Sequence, residues 1–177
     1  MNISKAIRHF EDFPKPGILF EDILPLFSTP SVHKDLIRAY ELQIQHVFGG
    51  ENKPDVIVGL DARGFLFGPT LALNLGIGFV AVRKENKLPG PVETAKYEKE
   101  YGTDVFAIQK GAIQSGQKVL IVDDLIATGG SASAAGQLVK NAGGNLLGYM
   151  FIIELTKLGG RQKLDGPVYT LLESQAE

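Results

Sequence analysis

Two adjacent carboxylates placed just before a run of small residues are the most chemically suggestive feature of this 177-residue chain. The segment reads Val119-Leu120-Ile121-Val122-Asp123-Asp124-Leu125-Ile126-Ala127-Thr128-Gly129-Gly130-Ser131. Its apolar start predicts a buried strand, and Ala132, Ala135, Leu138 and Val139 continue it as a helix. Between the two, Ala127, Thr128, Gly129, Gly130 and Ser131 form a turn whose backbone N–H groups open at a helix N-terminus. Thr128 and Ser131 add hydroxyl donors, and this combination cradles phosphate. Asp123 and Asp124 would repel a phosphate beside them and suit hydroxyl groups or a cation instead. A ligand with a phosphate at one end and a diol nearby satisfies both halves, so a phosphorylated ribose fits. The plainer alternative, acids that cap a helix and glycines that turn the chain, accounts for less of the string.

A second constellation is Gly59-Leu60-Asp61-Ala62-Arg63-Gly64-Phe65-Leu66-Phe67-Gly68-Pro69. It also sits where a strand ends and a helix begins, so its N–H groups face the same rim of the sheet. Arg63 is suited to gripping a second anionic group through two N–H donors. By itself an Asp/Arg pair at such a turn is more often a structural ion pair; beside a phosphoribose loop on one rim, ligand binding is the better reading. Gly76-Ile77-Gly78-Phe79-Val80-Ala81 fits a dinucleotide-binding pattern, but it enters a strand rather than leaving one and is rejected. Neither a P-loop sequence nor a G-x-S-x-G elbow occurs. His9, His33 and His46 lack metal-ligand spacing and read as surface or helix-face residues.

The elements that position these residues alternate. Ile3, Ile7 and Phe10 have helical spacing, and Phe13-Pro14-Lys15-Pro16-Gly17 then imposes a loop. Val32, Leu36, Tyr40, Ile44 and Val47 share one face of a predicted helix over 31–48, which Gly49-Gly50 stops. Val56-Ile57-Val58, Phe79-Val80-Ala81-Val82 and Val119-Leu120-Ile121-Val122 read as strands, with more at 146–155 and 168–172 and a helix over 64–75. Continuous apolar strands alternating with helices predict an α/β fold with a parallel sheet covered on both faces. Residues 83–104 break the rhythm, with five basic and five acidic residues and few large aliphatics. There, 94–101 and 105–109 are expected to pair as a hairpin about Gly102-Thr103-Asp104, as a solvated loop or a lid over a site.

Composition bounds the reading. Hydrophobic content is 44%, and 18 Lys+Arg against 20 Asp+Glu leave a formal charge of -2. One globular domain is expected, since ~100–200 residues is the usual domain range. With no cysteine, a disulfide framework, a cysteine nucleophile and thiolate metal sites are excluded. The balanced charge argues against a nucleic-acid partner. No stretch approaches the ~18 apolar residues of a membrane span, and residues 1–11 lack a signal-peptide core, so a cytoplasmic location with no membrane partner is expected.

The 123–131 string resembles the phosphoribosyl diphosphate (PRPP) signature of the type I phosphoribosyltransferase family. Phe13-Pro14-Lys15-Pro16-Gly17-Ile18-Leu19-Phe20, Arg63-Gly64-Phe65-Leu66-Phe67-Gly68, Arg83-Lys84 with Lys87-Leu88-Pro89-Gly90, and Glu100-Tyr101-Gly102 are similar to blocks of its adenine-using branch, in the expected order. The resemblance covers nearly the whole chain. It implies one α/β domain, 1–177, with a mainly parallel twisted sheet flanked by helices. An N-terminal base-binding hood is expected at about 1–30 and a flexible β-hairpin lid at about 83–110.

The implied reaction joins adenine to PRPP, giving AMP and pyrophosphate with Mg²⁺ as cofactor. Ala127, Thr128, Gly129, Gly130 and Ser131 would hold the 5′-phosphate, and Asp123 and Asp124 the ribose hydroxyls. Pyrophosphate would meet Asp61, Ala62, Arg63, Arg83, Lys84 and Lys87, with Mg²⁺ bridging mostly ligand and water oxygens. The family often has a non-proline cis peptide at the position of Asp61–Ala62. Adenine would lie between Phe20 and Leu125, its edge read by backbone groups near Leu19 and Glu21. Glu100 is implied in proton handling, Tyr101 in lid closure, and Arg63 in catalysis. A homodimer is implied as well, with the Arg83, Lys84 and Lys87 cluster reaching the neighbour's pyrophosphate site. Many relatives have arginine where this chain has Glu21; a carboxylate cannot donate there, so that arginine's role is not carried over. Transfer to another purine base, or a non-catalytic PRPP-sensing module, are the competing readings. A flavodoxin-like nucleotide binder explains the strands but not the adjacent acids.

Overall fold

The computed structural model describes residues 3–98 and 102–174. In chain order its elements are α1 (Ile3–Ala6), β1 (Arg8–Phe10), β2 (Phe20–Asp22), α2 (Pro25–Ser28), α3 (Pro30–Phe48), β3 (Val56–Leu60), α4 (Gly68–Leu75) and β4 (Gly78–Lys84). They continue with β5 (Val92–Glu98), β6 (Thr103–Gln109), β7 (Lys118–Ile126), α5 (Gly130–Asn141), β8 (Asn145–Leu155) and β9 (Val168–Ser174). Seven strands form one sheet in the order β5-β6-β4-β3-β7-β8-β9. The run from β4 through β9 is parallel, and the β5–β6 hairpin joins the edge of β4 antiparallel.

Strand side chains alternate between two cores, as the two-residue period of a pleated strand demands. Val56, Val58, Leu60, Val119, Ile121, Tyr149 and Phe151 face α5, packing with Ala135, Leu138 and Val139. Ile57, Leu120, Val122, Met150 and Ile152 face the other way, against Leu36, Tyr40 and Ile44 of α3 and Leu71 of α4. A strand buried on both faces has no polar side to show, which is why these segments read as unbroken apolar runs.

The connections run outward from the middle. From β3 the chain passes through α4 to β4 on one side, whereas β7 lies on the other side of β3 and leads through α5 to β8. The sheet therefore changes winding direction between β3 and β7. Open α/β sheets bind ligands in the crevice at such a point, beyond the carboxyl ends of the strands.

Three elements differ from the sequence expectation. The helical spacing of Ile3, Ile7 and Phe10 ends early: α1 stops at Ala6, and β1 pairs antiparallel with β2, Phe10 opposite Phe20. Isolated helices shorter than ~12 residues are marginal, and a strand partner returning across the proline loop wins. The helix expected over 64–75 is split into a 3₁₀ turn, Arg63–Leu66, and α4, which starts at Gly68 with Pro69 in its first turn. The β5–β6 hairpin forms, but in the register Val92 to Gln109 through Glu98 to Thr103, so Thr103 and Asp104, expected in the turn, lie in β6.

Candidate active site at the switch point

Both suggestive sequence strings arrive at the switch point because each follows one of its two strands. β7 carries Asp123, Asp124 and Leu125 at its carboxyl end, and the turn after it leads directly into α5. Gly129, at φ +79°, occupies the left-handed conformation that starts the helix. The first turn of α5 contains no acidic residue, so the helix dipole there stays available to an anion. After β3 the chain makes a non-proline cis peptide at Asp61–Ala62 and then the Arg63–Leu66 turn. This turn lies close against β7: a Cβ at Gly64 would sit 2.9 Å from the Val122 carbonyl oxygen and 3.3 Å from Asp123 Oδ1.

That approach brings Arg63 onto the acids. Its Nε lies 2.9 Å from Asp124 Oδ2, and the Asp124 side chain is almost fully buried. Arg63, Asp123, Asp124, Leu125, Ile126, Ala127, Thr128, Gly129, Ser131 and Ala132 line one cavity of about 190 Å³. Two larger cavities of about 350 Å³ lie along α3 and α4, one containing Lys53 and Ile77 and the other Phe27 and His33. Neither pairs acids with a helix-initiating amide loop, so chemistry rather than size selects the site.

Burial pushes both carboxyls up. Asp123 stands well above the usual carboxylate range, from desolvation and the neighbouring Asp124. Asp124 is raised by desolvation too, while Arg63 pulls it back down. The two carboxyls also hydrogen-bond to each other, so one proton between them relieves their repulsion. A diol offers two O–H donors and relieves the same repulsion without a proton.

The remaining expected residues that the structure describes do not line this cavity. Arg83 Nε lies 3.0 Å from Asp61 Oδ2, and an Arg83 Nη1 group donates to the Lys87 carbonyl at 3.1 Å. Lys84 Nζ, at the end of β4, lies 3.5 Å from Asp104 Oδ2 of the adjacent β6, and the Lys87 side chain is exposed. Each acid thus takes its partner from another segment: Asp61 from β4, and Asp124 from the turn after β3. Phe20 meets Phe13 edge-on, with ring centroids 5.0 Å apart. Glu21 Oε1 lies 3.4 Å from His9 Nε2 within the small β1–β2 sheet, whereas its Oε2 is buried without a hydrogen-bond partner. Leu19 immediately precedes β2, half-buried. His33 packs edge-on against Phe27, and His46 lies in the last turn of α3. Glu100 and Tyr101 lie outside the described residues.

Sequence reasoning missed the segment that approaches the small-residue turn from below. Gly160 arrives there between β8 and β9, and Arg161 beside it pairs with the buried Glu154. The Gly159-Gly160 doublet was the available signal, and no strand-to-helix unit drew attention to it.

A model of the phosphoribosyl transferase domain matches residues 30–177. The adenine phosphoribosyltransferase of Debaryomyces hansenii is 58% identical over 175 residues, which cover 99% of this chain and 91% of that protein. Adenine phosphoribosyltransferase 1 of Saccharomyces cerevisiae is 58% identical over 172 residues, 97% of this chain and 91% of the relative. A crystal structure of the S. cerevisiae enzyme, complexed with an imino-altritol bisphosphate and adenine, superposes with a TM-score of 0.95 at 57% identity, covering 97% of each chain. The Trypanosoma brucei enzyme, in complex with AMP, pyrophosphate and ribose-5-phosphate, gives a TM-score of 0.87 at 27% identity, covering 98% of this chain and 79% of that one. With the switch-point cavity and its acid-then-amide order, these likenesses establish that the chain belongs to the phosphoribosyltransferase family, in its adenine phosphoribosyltransferase branch.

Proposed function

We propose that the cavity between β3 and β7 is where PRPP transfers its phosphoribosyl group to adenine, giving AMP and pyrophosphate in purine salvage. The observation that carries this reading is the shared cavity of Arg63, the buried acid pair and the amide loop of α5. In this reading Ala127, Thr128, Gly129, Gly130 and Ser131 receive the 5′-phosphate, and Asp123 and Asp124 accept hydrogen bonds from the ribose hydroxyls. Such a transfer passes through an oxocarbenium-like transition state, with positive charge growing on the sugar. Two carboxylates fixed beside the ring stabilise that charge without reorganising. Arg63 faces the negative charge gathering on the departing pyrophosphate, with Asp61 and Ala62 beside it, and Arg83, Lys84 and Lys87 supply positive charge to a pyrophosphate site. Holding both reactants in line supplies the rest of the advantage.

Adenine is placed between Phe20 and Leu125, with backbone groups of Leu19 and Glu21 at its edge. A 6-amino and a 6-oxo purine present opposite donor and acceptor polarity there, so backbone groups discriminate strongly. Residues 1–30 then form the base-binding hood and 83–110 the lid. Glu100 handles the proton at the purine, and Tyr101 closes the lid. The packing of β5 against α5 supports this role: a Cβ at Gly130 would lie 2.9 Å from the Glu98 carbonyl oxygen, so the end of β5 meets the start of α5.

Mg²⁺ fits as the counter-ion of the diphosphate. Asp123 and Asp124 are the carboxyls lining the cavity, and among the described residues no group of three or more His, Cys, Asp or Glu is arranged to hold a metal. A hard ion that keeps ligand and water oxygens matches this donor set; it would neutralise the diphosphate charge. The Arg83, Lys84 and Lys87 cluster suits contact with a neighbouring copy's pyrophosphate, so a homodimer is expected in sedimentation; a fully active monomer would refute that part. The decisive assay follows pyrophosphate release from PRPP and Mg²⁺ with each purine base in turn. Release with adenine alone is expected, and equal release with hypoxanthine or guanine would overturn the base assignment.

A further inference from the structure

We infer that Gly160, held in place by the Glu154–Arg161 ion pair, is a positioning residue for the phosphate loop. This rests on the reading of residues 127–131 as the 5′-phosphate cradle. The two backbones meet with no side chain between them. A Cβ added at Gly160 would overlap the Ala127 carbonyl oxygen and come within 2.8 Å of the Gly129 nitrogen. Conversely, a Cβ at Gly129 would overlap the Gly160 carbonyl oxygen and lie 3.2 Å from its Cα. The amides assigned to phosphate therefore rest on a second peptide segment, far away in sequence, that leaves the loop no room to retreat.

That segment is itself anchored. Glu154, buried near the end of β8, lies opposite Ile126 in the parallel ladder, one residue before the loop. Arg161 Nε donates to Glu154 Oε1 at 3.1 Å, and a second guanidinium N–H reaches Oε2. A third donor, Nη1, reaches the Val168 carbonyl at 2.7 Å, at the start of β9. A planar guanidinium held at three points fixes its own backbone, and Gly160 is its immediate neighbour. The ion pair thus sets the height of Gly160 against the loop from the frame of the central sheet.

The test compares AMP with adenosine, which differ only in the 5′-phosphate, by calorimetric titration of the full-length wild type, Gly160→Ala and Arg161→Met. Gly160 does not have a positive φ, so alanine meets a steric conflict there and not a torsional one. Displacement of the loop is expected to weaken AMP about 10- to 100-fold, which is roughly what losing one hydrogen bond to a charged group costs. Adenosine affinity is expected to stay at the wild-type value in both variants. Arg161→Met keeps the glycine contact free of any added atom, so its AMP loss is smaller but in the same direction. Should Gly160→Ala fail to fold, Arg161→Met decides. An AMP-to-adenosine ratio unchanged from wild type in the folded variants overturns the positioning role. Equal affinity of the wild type for AMP and adenosine would instead remove the phosphate assignment on which the inference depends.

Discussion

Replacing Arg63 by methionine tests the electrostatic core of the site. The guanidinium stands 2.9 Å from a carboxylate whose own side chain is 4% exposed. At that separation and an effective dielectric of ~20, the Coulomb attraction is about 6 kcal/mol. Arg63 is 44% exposed, so solvent screens much of this, leaving about 1–3 kcal/mol. Arg63→Met is therefore expected to destabilise the unliganded protein by that amount near neutrality, or about 3–9 °C in melting temperature for a chain of this size.

The pH dependence has a definite sign. Burial raises Asp124 and Arg63 lowers it, so losing Arg63 lifts its folded-state pKa further above the unfolded value of about 3.9. A group raised in this way costs nothing where it is protonated in both states. The deficit is thus small near pH 4 and grows as pH rises toward and through the folded-state value. Asp124→Asn removes the buried charge itself, so the double variant should lose at least about 1 kcal/mol less than the two single losses added. Urea unfolding of the four proteins between pH 4 and 7.5 measures all of this. Strict additivity, or a deficit that is flat with pH, would refute the coupling. The same Asp124→Asn protein should show weakened PRPP use in steady state, because its amide offers one uncharged acceptor oxygen where the carboxylate offers two charged ones.

Two further outcomes are expected. Glu100→Gln should lower turnover about 10²-fold with adenine while the melting temperature holds, and wild-type kinetics would remove Glu100 from proton handling. Asp22 is held below the usual carboxylate range by the Leu24 N–H, which donates to Oδ1 at 2.9 Å, and by the guanidinium of Arg8. Its stabilisation is present above about pH 3.9 and is lost as pH falls through the lower folded-state value. Asp22→Asn should accordingly cost about 1 kcal/mol at pH 7 and nothing at the acid end of the transition, as followed by thermal melts; an equal loss at both ends would contradict the ionic anchor.

Much of the fold and part of the site follow from local sequence. The apolar runs became β3, β7 and β8 because strands covered on both faces can bury every side chain, and the pattern of 31–48 became α3 because its apolar residues recur at helical spacing. The order of acids, small residues and helix in 119–139 was equally legible, since strand, turn and helix start are consecutive in the chain. The N-terminal helix was misread because the choice between helix and strand there depends on Phe20, which lies across the proline loop from Phe10.

What the chain order left open was partnership across segments. The sequence alone determined which residue types stand at the rim, through hydrophobic period, turn chemistry and the adjacency of Asp123 and Asp124. Only the tertiary structure decided that Arg63 pairs with Asp124 and Arg83 with Asp61, that one Glu21 oxygen faces His9, and that Gly160 meets Gly129. The reason is physical: periodicity is set between neighbours a few bonds apart. Contacts between segments depend on how the sheet winds outward from β3 and β7, and no single segment encodes that.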